Sequence, residues 1–481
     1  MRIAPRRYGD STELIEIERR LAASPDAIEV LFERACCLED VGRTEAAVEA
    51  YVAVLQRDFR HLGTLTNLGS MLLHRGDTEK ARQFFTQALT HHPLALITHV
   101  NLGHALLAQR EIASATSQYQ AALAVDAEFF AAHHALAQLY EGTGDTTRAE
   151  FHWERAFAKN ASTTLAYTGD GPPRVRLLLV ISGRGGDVVV HRYLDSNTMQ
   201  TTVMLADAFR TGRPLAPHDV VFNAIGDADR CKTALERTQA LLATSTAPVI
   251  NDPERVLATG RAMNAHRLGA LPGVAVARTE LVPRAAITAA ELTARNWTFP
   301  LLVRAPGHQE GRHFELVAEA DALPDALARL PGDELFVIAF MDTRGADGFL
   351  RKYRMLFIDG RSYPVHLAVS SEWKVHYFSS DMSDRADHRD EERAFLADPR
   401  AALGAPAIAA LDEVRRTLGL DYGGADFGIT PDGKLAVFEA NATMAVFPPP
   451  DGEHWAYRRP AYEAIVAAVR AMIASRANAR L

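Results

Sequence analysis

A unit of 34 residues repeats four times in the first third of this 481-residue chain. Small residues recur in one column of the repeat and aromatic residues in another, with no insertion between units. The columns are Ala47, Ala81, Ala115 and Ala149, and Tyr51, Phe85, Tyr119 and Trp153. This period is typical of stacked helix–turn–helix units, whose small residues let two helices approach closely. The pattern predicts an all-α array over residues 11–163, with Leu14, Ile17 and Leu21 on a capping helix.

The repeat spacing resembles that of the tetratricopeptide repeat (TPR) family. The resemblance implies a superhelix whose groove, lined by the first helix of each unit, binds a peptide or protein partner. Asn67 and Asn101 occupy one equivalent position of that helix, and His104 follows Asn101 as Ser70 follows Asn67. An amide donates and accepts hydrogen bonds at once, which suits an extended main chain. Asn67, Asn101 and His104 are therefore the implied partner-binding residues, and the alternative is that the asparagines are merely tolerated polar residues.

Bulk properties exclude several classes of function. The formal net charge of −8 argues against binding to nucleic acid, which requires a basic surface. No run of about 18 uncharged apolar residues is present, so a membrane-spanning helix is not expected. Three cysteines are too few for a disulfide framework, and the expected location is the cytoplasm. Residues 1–10 and 476–481 are expected to be tails.

A change of pattern follows a turn-rich linker at residues 164–173. Over residues 174–271, apolar runs at Leu177–Ile181, Thr201–Met204 and Asp219–Asn223 alternate with helical segments. Such alternation predicts an open, Rossmann-like α/β sheet. The loop from Gly183 to Asp187 follows the first strand, where these sheets bind ligands, but it lacks the dinucleotide-binding glycine spacing. A plain tight turn is the favoured interpretation, and a substrate-binding turn is the alternative.

Residues 272–475 show strands joined by hairpins. Phe299–Arg304 is a strand followed by a loop that contains Gly307 and Gly311, and Phe314–Ala318 is its return strand. Tyr353–Ile358 and Ser362–Val369 are predicted to pair across the turn Asp359-Gly360. By this count Lys352 and Arg354 share one face, and His366 lies on the other. The charged stretch Asp381–Arg393 is interpreted as a mobile loop or lid, with a solvated helix face as the alternative.

The most informative chemistry lies between Gly424 and Asn441. If Asp432-Gly433 forms the turn of a hairpin, Asp426 lies directly opposite Glu439, and Asn441 is two residues further along the same face. Two facing carboxylates repel each other unless a hard cation such as Mg²⁺ lies between them, and an amide oxygen suits the same ion. The other face is expected to be buried and carries Phe427, Ile429, Ala436, Phe438 and Ala440. A solvent-facing pair of acids without an ion is the alternative.

The segment Phe438-Glu-Ala-Asn441, with Asp426 before it, resembles the metal-binding end of the ATP-grasp superfamily. The strand Phe299–Arg304 and its glycine loop resemble the phosphate-binding strand of that superfamily. The likeness covers roughly residues 175–475 and is closest to the ribosomal-protein glutamate ligase and D-alanine ligase type. The predicted fold class is thus multidomain: an all-α TPR superhelix, an α/β Rossmann-like pre-ATP-grasp domain at 174–271, and an α+β ATP-grasp domain at 272–475.

The resemblance implies a role for several residues and two ligands, ATP and Mg²⁺. Arg304 would contact the nucleotide phosphates, with Gly307 and Gly311 in the loop that covers them. Phe340 and Met341 would contact adenine. Asp426, Glu439 and Asn441 would hold Mg²⁺. For the basic residue that supports an acyl-phosphate, Arg354 and Lys374 are the candidates in the catalytic set with Arg304, and Lys352 is a further candidate.

The function that follows is an ATP- and Mg²⁺-dependent carboxylate–amine ligase, or one with a thiol or hydroxyl acceptor, that acts through an acyl-phosphate. The TPR array would recruit a peptide or protein substrate, and a small-molecule co-substrate fits the same scheme. One alternative is a TPR interaction scaffold with a nucleotide-binding but inactive ATP-grasp domain, because a lysine of the linker helix in many relatives has no match here. Another alternative is an ATP-grasp kinase.

Overall fold

The computed structural model describes residues 11–40, 43–157, 162–209, 214–306, 313–375, 380–449 and 452–478. The chain divides into two compact units, residues 1–160 and 161–481, and each is described by itself. Among the described residues, no helix combines the length and the apolar character that crossing a membrane requires.

The first unit is helical throughout its described residues. A single helix, α1 (Ser11–Ala23), precedes four helix pairs, as the sequence predicts for the cap and the repeats. The pairs are α2 (Ile28–Asp40) and α3 (Thr44–Arg57), α4 (Leu62–His74) and α5 (Thr78–His91), α6 (Leu96–Ala108) and α7 (Ile112–Val125), and α8 (Phe130–Gly142) and α9 (Thr146–Phe157). Corresponding helices begin 34 residues apart, which confirms the predicted period.

Close packing explains the small column of the repeat. The aromatic rings of the second helices lie against the backbone of the first helices and are fully buried. A Cβ atom added at Gly103 would lie 2.3 Å from the ring of Tyr119, and one at Gly69 would lie 2.5 Å from the ring of Phe85. Such distances are far inside van der Waals contact, so these two positions require glycine.

The second unit begins with a five-stranded sheet in the order β1-β3-β2-β4-β5. Strands β2 to β5 are parallel, and β1 pairs antiparallel with β3. The strands are β1 (Ser162–Thr164), β2 (Val175–Ile181), β3 (Met199–Leu205), β4 (Val220–Asn223) and β5 (Val249–Ile250). Helices α10 (Lys232–Leu242), α11 (Pro253–Leu257) and α12 (Arg261–Gly269) follow β4 and β5. Parallel strands with helical connections agree with the predicted alternation.

Two antiparallel-rich sheets complete the unit. The second sheet has the order β7-β10-β8-β9 and the third the order β12-β11-β13-β14-β6. Their strands are β6 (Val274–Val276), β7 (Thr279–Pro283), β8 (Leu301–Arg304), β9 (Phe314–Val317), β10 (Glu334–Ala339), β11 (Leu350–Ile358), β12 (Arg361–Ser370), β13 (Tyr422–Ile429) and β14 (Leu435–Asn441). Two short helices, α13 (Ala289–Ala294) and α14 (Leu323–Ala328), accompany the second sheet.

Three longer helices accompany the third sheet: α15 (Ala386–Ala397), α16 (Pro399–Leu418) and α17 (Arg459–Arg476). Helix α15 packs on β12 through the fully buried Phe395. This helix occupies most of the stretch Asp381–Arg393, so the interpretation of that stretch as a loop is wrong for its larger part. The buried face of α17, with Ile465 and Val469, joins a core shared with the first and third sheets. The first and third sheets thus share one core, whereas the second sheet has a core of its own that includes Val303 and Val337.

Candidate functional site

A cavity of about 660 Å³ lies where the three sheets of the second unit meet. The first sheet contributes the loops after β2 and β4, and the second sheet contributes β8 and the end of β10. The third sheet contributes side chains from four neighbouring strands. The described lining residues that carry charge are Asp187, Asp227, Asp229, Arg261, Arg304, Lys352, Arg354, Lys374, Asp426, Glu439 and Arg458. Cations and carboxylates thus share one enclosed surface.

The hairpin of β13 and β14 brings the two predicted carboxylates together. Asp426 pairs with Glu439 in the sheet register, as the turn count predicts, and both residues line the cavity. The pairing near the turn differs, because Phe427 faces Val437 and Ile429 faces Leu435. A β-bulge between these two parts of the register supplies the extra residue.

This bulge corrects one expectation. Phe438 was expected on the buried face, but its exposed fraction is 42% and it lines the cavity. Phe438 is the extra residue of the bulge, so it does not follow the alternation of buried and exposed side chains that the sequence predicts for β14. An aromatic ring on a cavity wall offers a flat apolar surface for a ring-shaped ligand.

Asp426 forms two ion pairs within the third sheet. Nε and Nη2 of Arg354 donate to Oδ1 and Oδ2 of Asp426 at 2.6 and 2.9 Å, and Nζ of Lys352 lies 3.2 Å from Oδ2. Burial by itself would raise the pKa of the Asp426 carboxyl, but Arg354 and Lys352 outweigh it and hold that pKa well below its usual range. Lys352 and Arg354 do share one face, as predicted, and Asp426 is a firmly ionised carboxylate.

Glu439 and Asn441 form the more open part of the predicted metal set. Nδ2 of Asn441 donates to Oε1 of Glu439 at 3.0 Å, and Oδ1 of Asn441 accepts from the backbone amide and hydroxyl of Thr443 at 2.9 and 2.7 Å. The side chain of Glu439 is 42% exposed, and Nη2 of Arg261 lies 3.9 Å from it. The Glu439 carboxylate lines the cavity and can accept a ligand, whereas Oδ1 of Asn441 already accepts two hydrogen bonds.

Arg304 ends β8 on the opposite wall of the cavity. Burial lowers the pKa of Arg304 to about 10, and the neighbouring Arg261 guanidinium adds to the shift. Glu439 acts in the other direction because its negative charge favours the charged guanidinium. The guanidinium also lies 5.6 Å from the centre of the Phe314 ring. Arg304 therefore remains cationic at neutral pH and faces the carboxylate hairpin.

The other predicted nucleotide residues have different outcomes. Phe340 and Met341 follow β10 and line the cavity, together with Leu302 and Ile338 of the same sheet. Lys374 also lines the cavity, and its ammonium donates to the backbone oxygen of Phe314 at 3.4 Å. Gly307 and Gly311 lie outside the described residues, as do the tail at 1–10 and residues 479–481.

A second bulge, in the hairpin of β11 and β12, corrects the position of His366. Arg354 pairs with His366, whereas Met355 pairs with Pro364, so Val365 is the extra residue. The prediction that His366 and Arg354 lie on different faces of the hairpin is therefore wrong. Both side chains are on the same face and line the cavity. Burial, together with the charge of Arg354, lowers the pKa of His366 well below its usual value. The imidazole is neutral at pH 7.

The loop from Gly183 to Asp187 takes part in the wall. Gly185 and Gly186 have positive φ angles of 79° and 83°, which suit a tight turn, and Gly186 and Asp187 line the cavity. Burial raises the pKa of Asp187 to about 7, although the backbone amide of Ser182 donates to its carboxylate at 2.8 Å. The loop is both a tight turn and part of the cavity wall.

The first and third sheets meet next to this loop. A Cβ atom added at Gly226 would lie 2.7 to 2.8 Å from the backbone of Ala442 and Thr443. The loop after β4 thus contacts the segment that follows Asn441. This contact places the carboxyl ends of the parallel strands beside the carboxylate hairpin.

In the TPR array the two predicted asparagines are buried. Nδ2 of Asn67 donates to the hydroxyl of Tyr51 at 2.9 Å, and Nδ2 of Asn101 donates to Oγ of Ser70 at 3.0 Å. Burial lowers the pKa of His104 to about 4. The asparagines are held by contacts within the array, which the sequence did not indicate, and the role of these residues in partner binding stays a prediction.

The first unit is a tetratricopeptide repeat array by family comparison as well as by geometry. The model of the family Tetratricopeptide repeat matches residues 21–95 and 100–163. This match supports an interaction with protein partners. The match ends at residue 163 and does not cover the remainder of the second unit. No curated protein matches the chain.

Several solved structures show a partial likeness to this chain. MamA is 20% identical over 30% of this chain and 84% of its own, with a TM-score of 0.27. PilW, described as a widely conserved type IV pilus biogenesis factor, is 20% identical over 30% of this chain and 67% of its own, with a TM-score of 0.29. PilF of Pseudomonas aeruginosa is 20% identical over 30% and 65%, with a TM-score of 0.28. Likenesses of this extent assign no function.

Proposed function

We propose that the second unit is an ATP- and Mg²⁺-dependent ligase that joins a carboxylate to an amine, or to a thiol or hydroxyl, through an acyl-phosphate. One observation carries the proposal: a single cavity contains a cationic wall and a carboxylate hairpin that come from separate sheets. Arg304 ends a strand of the second sheet, and Asp426 and Glu439 face each other in the third. Phosphoryl transfer needs such an arrangement, because catalysis consists mainly of positioning and charge neutralisation.

The nucleotide fits the end of the cavity that the second sheet forms. Leu302, Ile338, Phe340 and Met341 offer apolar surface for a base, and Phe438 faces the same space from β14. Arg304 ends β8 in the same sheet as this apolar surface, and the charge of Glu439 in the third sheet acts on its guanidinium. The proposed order along the cavity is therefore base, phosphates and carboxylate hairpin.

The residues of the hairpin fit a Mg²⁺ ion. Glu439 presents a carboxylate, a hard ligand that this ion prefers, at an exposed part of the wall. Asn441 would add its amide oxygen in exchange for one of the two hydrogen bonds that this oxygen accepts from Thr443. Asp426 faces Glu439 and completes the set, while its ion pairs with Arg354 and Lys352 hold it in place. When bound, Mg²⁺ would neutralise phosphate charge and make the γ-phosphorus more electrophilic.

The proposed reaction has two steps. A carboxylate oxygen of the substrate attacks the γ-phosphorus of ATP, the bond to the β–γ bridging oxygen breaks, and ADP leaves. The nitrogen of an amine then attacks the acyl carbon, the bond from that carbon to the phosphate oxygen breaks, and the amide, phosphate and a proton are released. Arg304 binds the phosphates, Arg354 orients the substrate carboxylate, and Lys374 at the rim reaches the same anionic groups. None of these residues needs to act as a nucleophile.

The TPR array supplies the second part of the proposal. Arrays of this family hold extended peptides or protein segments, and the array here covers about a third of the chain. We infer that it recruits a peptide or protein substrate for the ligase.

Calorimetry of nucleotide binding tests the proposal. The intact chain should bind ATP in the presence of Mg²⁺ and lose most of that affinity without it. Glu439→Gln should abolish the Mg²⁺ dependence, because a neutral amide replaces the open carboxylate. The matched control is Glu463→Gln, which makes the same change at an exposed position of α17.

Three outcomes would contradict the proposal. Absence of ATP binding by the intact chain would leave the TPR array as the functional part. Equal loss of affinity in Glu439→Gln and Glu463→Gln would show that the hairpin has no specific role. Formation of ADP without an amine, with the phosphate retained on the acceptor, would identify a kinase.

A further inference from the structure

The cavity continues past Arg354 toward the edge of the third sheet, away from the nucleotide end. His366, Arg354, Asp426 and Glu439 form a row across β12, β11, β13 and β14. Neighbouring strands lie about 4.8 Å apart, so this row spans about 14 Å from Glu439 to His366. A substrate that extends from Arg354 toward β12 therefore points away from Glu439 and the phosphates.

Apolar side chains form the wall at this far end. We define the apolar end of the cavity by Val365, Val446, Phe447, Tyr462 and Ile465. Val365 is the extra residue of the bulge in β12, and Tyr462 and Ile465 lie one turn apart on α17. Helix α17, which carries Tyr462 and Ile465, packs on β12, the strand that ends the row.

Hydrogen bonds fix the apolar end next to the charged row. Nη1 of Arg354 donates to the backbone oxygen of Ala445 at 3.2 Å, and Val446 follows directly. Val446 and Ile465 belong to the core that α17 shares with the first and third sheets, with exposed fractions of 4% and 1%. The apolar end is therefore a fixed surface that begins beside the guanidinium of Arg354.

The charges at this end have one sign. Among the described residues that line the cavity, no carboxylate comes from β12, from the segment 442–449 or from α17. Arg458 lies there, 3.3 Å from the buried Glu392 behind it, and the buried His366 is neutral at pH 7. Arg354 has five N–H donors, of which Asp426 receives two and the backbone oxygen of Ala445 a third, so two remain for a substrate carboxylate. One anionic group is accommodated here, and a second would lose its water without gaining a partner.

From this arrangement we infer the substrate class of the ligase: a monocarboxylate that carries an apolar body. Its carboxylate faces Arg354 and Arg458, and its hydrocarbon part lies against Val446, Tyr462 and Ile465. A free aliphatic or aromatic acid and the C-terminal residue of a peptide with an apolar side chain share this chemistry. The inference rests on the proposed function, because it assumes that the carboxylate at Arg354 is the group that attacks ATP.

Acyl-phosphate trapping with hydroxylamine tests the inference on the full chain. Each probe is offered with ATP, Mg²⁺ and hydroxylamine, whose nitrogen attacks the acyl carbon and releases phosphate to leave a hydroxamate. Hexanoate is compared with acetate and glutarate, and a tripeptide ending in leucine with one ending in glutamate. Hexanoate should give at least about 10-fold more hydroxamate than acetate at low concentration, because several methylene groups are partly buried. Glutarate should give less than hexanoate, and the peptide pair shows which source of the carboxylate is used.

A pair of variants on one helix locates the effect. Tyr462→Asp places a negative charge at the apolar end, where the side chain is only partly buried, and should weaken hexanoate binding about 10-fold or more. Ala467→Asp adds the same charge on the exposed face of α17 and should leave binding unchanged. Binding of hexanoate is measured by calorimetry in the presence of Mg²⁺ and a non-hydrolysable ATP analogue.

The outcomes separate this inference from the proposed function. Preference for glutarate or for the glutamate peptide, equal effects of the two variants, or no binding of any apolar probe while MgATP still binds would each overturn the substrate class alone. Failure of the intact chain to bind MgATP would overturn the proposed function and the substrate class with it.

Discussion

Replacing Asp426 by asparagine removes the only negative charge between Arg354 and Lys352 in the described part of β11 and β13. The exposed fraction of the Asp426 side chain is 5%, and those of Arg354 and Lys352 are 20% and 18%. The asparagine is nearly isosteric, so its effect reports charge rather than packing. It leaves two largely buried cations next to each other without a counterion.

The expected loss in the free energy of unfolding of the second unit is about 3–5 kcal/mol, since breaking a buried ion pair leaves an uncompensated buried charge. The matched control is Asp432→Asn in the turn of the same hairpin. Asp432 is exposed and lies 3.0 Å from Lys434, and exposed pairs contribute little, so this variant should be nearly neutral. The double variant Arg354→Met, Asp426→Asn should recover part of the loss because one uncompensated cation is removed as well.

Because the chain has two units, the measurement must resolve them. Hydrogen exchange by mass spectrometry, as a function of urea, gives the free energy of opening for peptides that cover β13 and β14. Peptides from α6 and α7 serve as the internal reference and should not change. A loss in Asp426→Asn no larger than that in Asp432→Asn would refute the assignment of Asp426 as the buried counterion.

Three further predictions concern single features. Gly103→Ala should destabilise the TPR array by about 1–3 kcal/mol, because its Cβ would lie 2.3 Å from the ring of Tyr119. Gly142→Ala, with open space around it, should not destabilise the array. Thermal unfolding followed by circular dichroism compares the two variants, and equal melting temperatures would contradict the packing explanation. Burial lowers the pKa of His104 to about 4, below its unfolded value near 6.5, so the array should be most stable above pH 6.5 and lose stability as the pH falls toward 4. The pKa of His152 is lowered in the same way, so His104→Gln should reduce, but not remove, the pH dependence of the free energy of unfolding measured with urea. An unchanged pH dependence would contradict the assignment. Phe438→Ala should weaken MgATP binding about 10-fold in calorimetry, because the ring would lose its contact with the adenine base. The free energy of unfolding should change little, since the ring is 42% exposed on the cavity wall. Unchanged affinity for MgATP would show that the adenine base binds elsewhere.

The sequence predicts the repeat array and the carboxylate hairpin because both depend on short-range periodicity. Four equal units of 34 residues define the helix pairs. A count outward from Asp432-Gly433 places Asp426 opposite Glu439 because the one-residue difference in pairing near the turn is cancelled by the bulge before Asp426. Apolar patterning likewise predicts most of the other strands, with bounds within three residues at their ends. It misses the short strands β1, β6 and β7, and β1 begins at Ser162, inside the predicted all-α array.

The sequence does not reveal where a bulge interrupts the alternation of side chains between the two faces of a strand. The bulges at Phe438 and at Val365 each insert one residue, and a period of two cannot show where this happens. As a result, Phe438 was expected to be buried, and His366 was expected on the face opposite to Arg354. Both residues line the cavity, so the two errors fall at the candidate site. The ion pairs of Asp426 also depend on contacts between strands that are 72 residues apart in the chain.

The constant length of the repeat has a consequence for how such a chain can change. Helices α4 and α6 begin at Leu62 and Leu96, one full unit apart, and their neighbours occupy the same columns. Excision of residues 62–95, or their duplication, would join equivalent positions and restore the same turn at the new junction. The array can therefore be shortened or lengthened by recombination in steps of one unit, and the repeat register is kept at the new junction. The number of repeats, and with it the range of partners, can therefore change independently of substitutions in the second unit.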